Sequence, residues 1–190
     1  IARYGRPAEN RHSLQIEIKR SCYADVALHA PNPGFGRMQR ALDAMLAALK
    51  HWVVETGIDG YRCDVAGLVP LAFWERARAE LEAIRPVFLL AEWSAPELHA
   101  HAFDMSYDWA LLDAMKAIAK GQGDARDLVR WVEESAATWP ADAYRMTFTS
   151  NHDKNAWEGH DAEVYGPAFE VFAVLAATLP GLPLIYGGQE

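Results

Sequence analysis

The sequence holds two cysteines, Cys22 and Cys63, too few for a disulfide framework. It has no cluster of Lys and Arg: 18 basic residues stand against 26 acidic ones, for a net charge of −8. Phosphate backbones are bound by clustered cations, so nucleic acid is not an expected partner. No apolar run approaches the roughly 20 residues of a transmembrane helix, so neither is a membrane. No glycine-rich phosphate loop follows a strand pattern, which disfavours a nucleotide-binding open sheet. No His-x-x-x-His or Cys-x-x-Cys spacing occurs. His99 and His101 stand two apart, and no helix presents such a pair on one face, so a zinc site is not expected. The Gly-x-Ser-x-Gly turn of serine hydrolases is missing too. Ile1 is not preceded by Met or a signal pattern, and Glu190 follows directly on an apolar segment. Both ends therefore read as cut, and the compartment stays open.

What is present is a globular composition, 51% hydrophobic with seven Trp, long enough for one domain with a sizeable core. Residues 1–36 show no clear period, and His29–Gly34 is turn chemistry. From Arg37 the residues Met38, Leu42, Met45, Leu46, Leu49, Trp52 and Val53 recur at helical spacing, and Gly57 stops them. A short strand around Asp64 comes next. Pro70 opens a second helix with Leu71, Trp74, Ala77, Leu81 and Ile84 on one face, and Pro86 closes it. Val87–Ala91 is a continuous apolar run, which fits a strand buried on both faces. Further strands are expected over 102–107, 144–149 and 183–186, and helices over 109–119, from Asp124 to Thr138 and over 168–179. Strand–helix alternation implies a parallel sheet. Several strands end in polar, reactive clusters, which is where the closed eight-stranded barrel keeps its sites. A whole barrel takes about 250 residues, so the expected fold class is α/β, the C-terminal part of a TIM (β/α)8 barrel; a doubly wound open sheet is the rival.

The chemistry centres on Gly57-Ile58-Asp59-Gly60-Tyr61-Arg62-Cys63-Asp64-Val65-Ala66. In a strand, residues two apart share a face. Gly60, Arg62 and Asp64 then point one way, and Tyr61, Cys63 and Val65 point to an apolar side, which makes Cys63 a buried free thiol. An arginine beside Asp64 keeps it ionised, as a nucleophile requires. The plain alternative is a pair that only ties down a loop. Glu92 follows five apolar residues and precedes Trp93; burial of that kind raises a carboxyl pKa, as a general acid requires. Asp153 ends a third strand, beside His152. Two carboxylates about 5 Å apart, one ionised and one protonated, are the equipment for retaining glycoside cleavage. Each residue also has a structural reading: Asp153 as a helix cap, Glu92 as the partner of an arginine elsewhere, His152 as a packing residue.

Four segments carry a resemblance. Gly57–Asp64 resembles the strand-four motif of the α-amylase family of glycoside hydrolases. Leu90-Ala91-Glu92 resembles its strand-five motif, Phe148-Thr149-Ser150-Asn151-His152-Asp153 its strand-seven motif, and Leu182–Glu190 its strand-eight segment. The resemblance implies that Asp64 is the nucleophile, Glu92 the general acid/base and Asp153 a transition-state stabiliser, with Arg62 holding Asp64 and His152 contacting the sugar. It implies barrel strands four to eight with the helix before them. Residues 37–190 are then the barrel part, truncated after strand eight, and 1–36 the tail of the loop or subdomain inserted after strand three. Asp25-Val26 loosely matches a short acidic motif of that insertion whose Asp binds calcium in family members, so Asp25 is the candidate metal ligand and no other cofactor is implied. The sequence departs from the family at Val65-Ala66-Gly67-Leu68, where many amylases carry a Lys-His pair that touches substrate and, through a carbonyl, calcium. The family's strand-three motif and its small C-terminal sheet domain are absent.

Trp93, Tyr107, Trp109 and Trp157 follow strand ends, where aromatic rings stack on sugar C–H faces. Trp93 and Trp157 are the expected substrate contacts, and Trp109 the expected seal of the barrel rim. The expected activity is cleavage of α-glucosidic bonds in starch-like glucans or malto-oligosaccharides, with retention, through a covalent glycosyl-enzyme. A transglycosylase or glucoside isomerase of the same family shares every motif. A non-catalytic sugar-binding relative usually lacks a carboxylate, and all three are here. A polymeric substrate implies a secreted or periplasmic protein, an oligosaccharide a cytoplasmic one. The isolated fragment exposes two sheet edges and is expected to associate and to be inactive; the native oligomeric state stays open.

Overall fold

The computed structural model describes residues 24–25 and 30–189, with side chains from residue 32 onward. The chain divides into two units, 1–49 and 50–190. In the first, β1 (Ala24–Asp25) pairs antiparallel with β2 (Ala30–Pro31). Helix α1 (Phe35–Thr56) follows and runs on into the second unit. It stops where Gly57 takes φ +64°, a left-handed conformation that glycine adopts without a Cβ penalty.

The second unit is built on five parallel strands: β3 (Gly60–Cys63), β4 (Phe88–Ala91), β5 (Met105–Tyr107), β6 (Tyr144–Thr147) and β7 (Leu182–Pro183). Each strand pairs with the next in the chain, so the order never reverses. A doubly wound sheet needs such a reversal at its switch point; winding in one direction is that of the (β/α)8 barrel, of whose eight strands these are five. Helix α2 (Leu71–Glu82) connects β3 to β4. Helices α3 (Trp109–Ala119) and α4 (Ala125–Thr138) connect β5 to β6, and α5 (His152–Glu158), α6 (Asp161–Tyr165) and α7 (Phe169–Thr178) connect β6 to β7. Between β4 and β5 lies only a short 3-10 turn, Pro96–His99.

The pairing register puts Gly60, Arg62, Phe88, Leu90, Met105, Tyr107, Tyr144 and Met146 on one face of the sheet. The other face carries the helices. On it, the Thr147 hydroxyl donates to the Ala176 carbonyl of α7 (2.6 Å), and the Arg145 guanidinium lies 3.5 Å over the Trp139 ring after α4. Cys63 is buried there and free, and burial pushes its thiol up to about 12. Gly60 has a steric reason: a Cβ there would run into the Phe88 backbone.

Phe88 is 39% exposed on the face opposite the helices, which in a whole eight-stranded barrel is the packed interior. Two expectations are corrected. Val65 does not continue the apolar side of β3; the strand ends at Cys63, and Val65 turns left-handed. The last strand is two residues, Leu182–Pro183, earlier and shorter than 183–186.

One buried ion pair holds the β5–β6 layer. The Asp108 side chain is fully buried. It caps α3 through the Leu111 amide (3.0 Å) and accepts from the Trp131 indole (3.1 Å) and from Arg145 (3.0 Å). Asp108→Ala would strand a guanidinium that is only 7% exposed, so it is expected to destabilise the fold by about 3–5 kcal/mol. Urea denaturation checks this; a loss below about 1 kcal/mol would mean that Arg145 finds water.

Candidate active site

The site is assembled where β3, β4 and β6 end. β3 delivers Arg62 inside the strand and Asp64 one residue past it. β4 ends at Ala91 and delivers Glu92, whose amide still donates to the Cys63 carbonyl (2.9 Å). β6 ends at Thr147 and leads through Phe148–Asn151 into α5, whose first two residues are His152 and Asp153. Asn151 caps this helix: its side-chain oxygen accepts from the Asp153 and Lys154 amides (3.1 and 2.8 Å). The cap is thus Asn151 and not Asp153, whose carboxylate is left for other work.

Arg62 organises the carboxylates. One terminal nitrogen pairs with Asp64 and the other with Glu92 Oε1 (2.6 Å), while Nε donates to the Tyr107 hydroxyl (3.4 Å). The arginine that Glu92 pairs with, left unnamed by sequence, is therefore the one beside Asp64. Glu92 Oε2 accepts from the Val65 amide (3.0 Å). That amide is aimed by a left-handed backbone, φ 44° and ψ 46°, a conformation worth roughly 1–3 kcal/mol of strain for a β-branched residue.

The two carboxyls sit in opposed environments. The Glu92 side chain is 11% exposed and that of Asp64 is 54% exposed. Burial pushes Glu92 above its ordinary value, and the Asp64 carboxyl beside it pushes the same way. The Val65 amide and Arg62 oppose them without prevailing. Burial also pushes Asp64 up, but there the hydrogen bonds from Arg62 and with Glu92, together with the charges of Arg62 and His152, outweigh it, so Asp64 lies below the ordinary range. An acid above its usual value and an acid below it, tied by one cation, is the pattern that separates a proton donor from an ionised partner.

His152 Nε2 lies 3.6 Å from Asp153 Oδ2, both half-exposed. Ligand atoms of Glu92, His152 and Asp153 all fall within 4.8 Å of one another. A cation would fit that spacing, though exposed acidic groups commonly gather without one. The side chain of Asp25, the residue expected to bind calcium, lies outside the described residues. Leu68 is exposed and ends a 3-10 turn, Ala66–Leu68, that begins at a buried Ala66.

The aromatics divide. Trp93 is half-buried and lies flat against Gly67, where any Cβ would enter the indole. The lack of a side chain at Gly67 is what makes room for the ring. Trp109 stacks on Tyr107 (centroids 5.1 Å apart) and meets Phe148 edge-on (5.2 Å), as a rim residue does. Trp157 is 85% exposed. It follows His152 by five positions on α5, a rotation of about 140° away from it. The hydroxyl contact of Tyr107 with Arg62 was not legible in sequence, where Tyr107 is one loop aromatic among four.

No family model matches the chain. The alpha-amylase MalA of Haloarcula japonica is 33% identical over 151 residues, which cover 77% of this chain and 22% of that protein. The cyclomaltodextrin glucanotransferase of Geobacillus stearothermophilus is 27% identical over 190 residues, 94% of this chain and 25% of that protein. The chain thus spans about a quarter of the curated relatives it matches. Among solved structures, a noncanonic maltogenic alpha-amylase, AmyB from Thermotoga neapolitana, superposes with a TM-score of 0.68 at 28% identity, over 78% of this chain and 34% of that one. Four motifs in order, strands wound one way around a shared site, and relatives by both sequence and structure lead to one conclusion: the chain belongs to the α-amylase family, as part of its catalytic barrel.

Proposed function

We propose that the protein cleaves α-glucosidic bonds of starch-like glucans or malto-oligosaccharides with retention of configuration. In this reading residues 37–190 belong to the catalytic barrel and residues 1–36 to the excursion after its third strand. The observation that carries the proposal is the Arg62 fork between an exposed Asp64 and a sheltered Glu92. A retaining pair works across about 5–5.5 Å, and one guanidinium reaching both carboxyls supports a separation of that order.

The Asp64 carboxylate attacks the anomeric carbon as the bond to the leaving sugar breaks, and Glu92 gives its proton to the leaving oxygen. Glu92, now ionised, takes a proton from water. The hydroxide equivalent attacks the same carbon, the ester to Asp64 opens, and Glu92 is protonated again. Negative charge passes from Asp64 to Glu92 and back. Arg62 touches both, so it faces one carboxylate at every stage and need not move. Asp153 and His152 bind sugar hydroxyls in bonds that strengthen as the ring flattens in the transition state. Trp93, next to the acid, offers its face to the leaving-group side.

The test is product analysis with the full-length protein and maltoheptaose. Shorter linear malto-oligosaccharides with new reducing ends support hydrolysis; longer, cyclic or isomerised products without new reducing ends would move the protein to the transferases or isomerases. A transferase reading is favoured by the likeness to cyclomaltodextrin glucanotransferases and to an alpha-1,4-glucan:maltose-1-phosphate maltosyltransferase.

The same reading fixes a pH profile. Asp64 must be ionised, so activity falls as pH drops through its folded-state pKa, which lies below the ordinary 3.8. Glu92 must be protonated, so activity falls as pH rises through its pKa, which lies above the ordinary 4.5. kcat/KM against pH is therefore expected to be a bell whose two limbs lie outside 3.8 and 4.5 and belong to the coupled pair. A profile flat across the alkaline side would remove Glu92 as the acid.

A further inference from the structure

The segment that delivers His152 and Asp153 is held by two residues outside every motif described above, Asp161 and Tyr165, together with Gln189 of the strand-eight segment. Helix α6 grips Thr149 from both of its ends. At its start Asp161 Oδ2 accepts from the Thr149 hydroxyl (2.6 Å), and at its end the Tyr165 hydroxyl donates to the Thr149 carbonyl (2.8 Å). Residues four apart share a helix face, so the spacing of Asp161 and Tyr165 is what lets one short helix hold one residue twice. Gln189 closes the cluster from the loop after β7. Its side-chain nitrogen donates to both Asp161 Oδ2 (2.6 Å) and Thr149 Oγ1 (2.9 Å), while its oxygen accepts from the Tyr186 amide (2.6 Å). Thr149, Ser150 and Asn151 are buried at 6%, 4% and 1% exposure, and Asn151 fixes the Asp153 amide. A run of constrained residues thus leads from Asp161 to the carboxylate at the site.

We propose that Asp161 is a positioning residue: it ties Thr149 to Gln189 and thereby fixes the segment that presents His152 and Asp153 to the sugar. The inference rests on the assignment of Asp153 as a transition-state stabiliser. Asp161 needs no contact with substrate. Its carboxylate collects two donors from two different loops, the exit of β6 and the exit of β7, which the backbone ladder does not join at that point.

The experiment measures kcat, KM and melting temperature of the full-length enzyme on maltoheptaose. Asp161→Ala is expected to lower kcat by about 10–100-fold with KM changed by less than about threefold, since a group that acts in the transition state is displaced while ground-state binding persists. Asp161→Asn keeps an oxygen that accepts both donors and should restore kcat to within about threefold of wild type. The Asp161→Ala/Gln189→Ala double variant should lose little more than the worse single one, because both cut the same tie. If Asp161→Ala does not fold, Thr149→Val, which removes one hydroxyl at constant shape, carries the same expectation for kcat. A lowered melting temperature with kcat kept within twofold overturns the proposal, as do fully additive losses or an Asp161→Asn variant as impaired as Asp161→Ala. Asp153→Asn is run beside them. If it keeps full turnover, the site assignment itself falls and the positioning role with it; if it abolishes turnover while Asp161→Ala does not, only the positioning role falls.

Discussion

Asp64→Asn is expected to lower kcat on malto-oligosaccharides by about four orders of magnitude or more. An amide does not attack the anomeric carbon, and no other carboxylate at the site stands ready in the same state. Glu92 is held above its ordinary value by burial and by Asp64 itself, and Asp153 is delivered separately, in the first turn of α5, without the contact to Arg62 that Asp64 has. The fold should hardly notice: the Asp64 side chain is 54% exposed, and a pair of that exposure contributes about 1 kcal/mol or less. Loss of turnover without loss of stability is thus the expected combination, read from kcat and urea denaturation together. Activity within about tenfold of wild type would reject Asp64 as the nucleophile.

Glu92→Gln is expected to lower kcat on maltoheptaose by about 10³-fold, within the range that a general acid/base supplies. The substrate dependence is the sharper prediction. α-Glucosyl fluoride has a leaving group that needs no proton, so attack by Asp64 should survive while hydrolysis of the ester, which needs Glu92 as base, slows. The glycosyl-enzyme then accumulates and is visible by intact mass as one added glucosyl on Asp64. The alkaline limb of the pH profile should vanish in this variant, while the acid limb stays. Equal losses on both substrates, with no adduct, would mean that Glu92 acts by holding Arg62 and not by moving a proton. The structure makes that distinction worth drawing, because Glu92 accepts from Arg62 (2.6 Å) and the Val65 amide (3.0 Å) at the same time.

Much of this arrangement was legible before any coordinate. The long period of α1, the proline-bounded α2, and α3 and α4 emerge at or near their expected bounds, because each has enough residues for a 3.6 pattern to declare itself. Helices α5 and α6, of seven and five residues, are too short for any period, so α6, the element that grips Thr149, left no periodic signal. The pairing of Arg62 with Asp64 follows from strand alternation alone. Its pairing with Glu92 does not, because that depends on the register of β3 against β4, which sets Arg62 opposite Leu90, two residues before Glu92. The left-handed turn at Val65 ran against local preference, as residues at sites often do; a β-branched side chain after a strand predicts more strand.

Retention is the most direct test of the account. Full-length protein is mixed with maltoheptaose and followed by proton NMR from the first turnovers, before mutarotation mixes the anomers. The account predicts that the new reducing end appears first as the α-anomer, the outcome of two displacements at one carbon with Asp64 bound between them. A β-anomer appearing first would contradict it, since that outcome belongs to a single attack by water between carboxyls about 6.5–9.5 Å apart, an arrangement in which Asp64 never bonds to sugar.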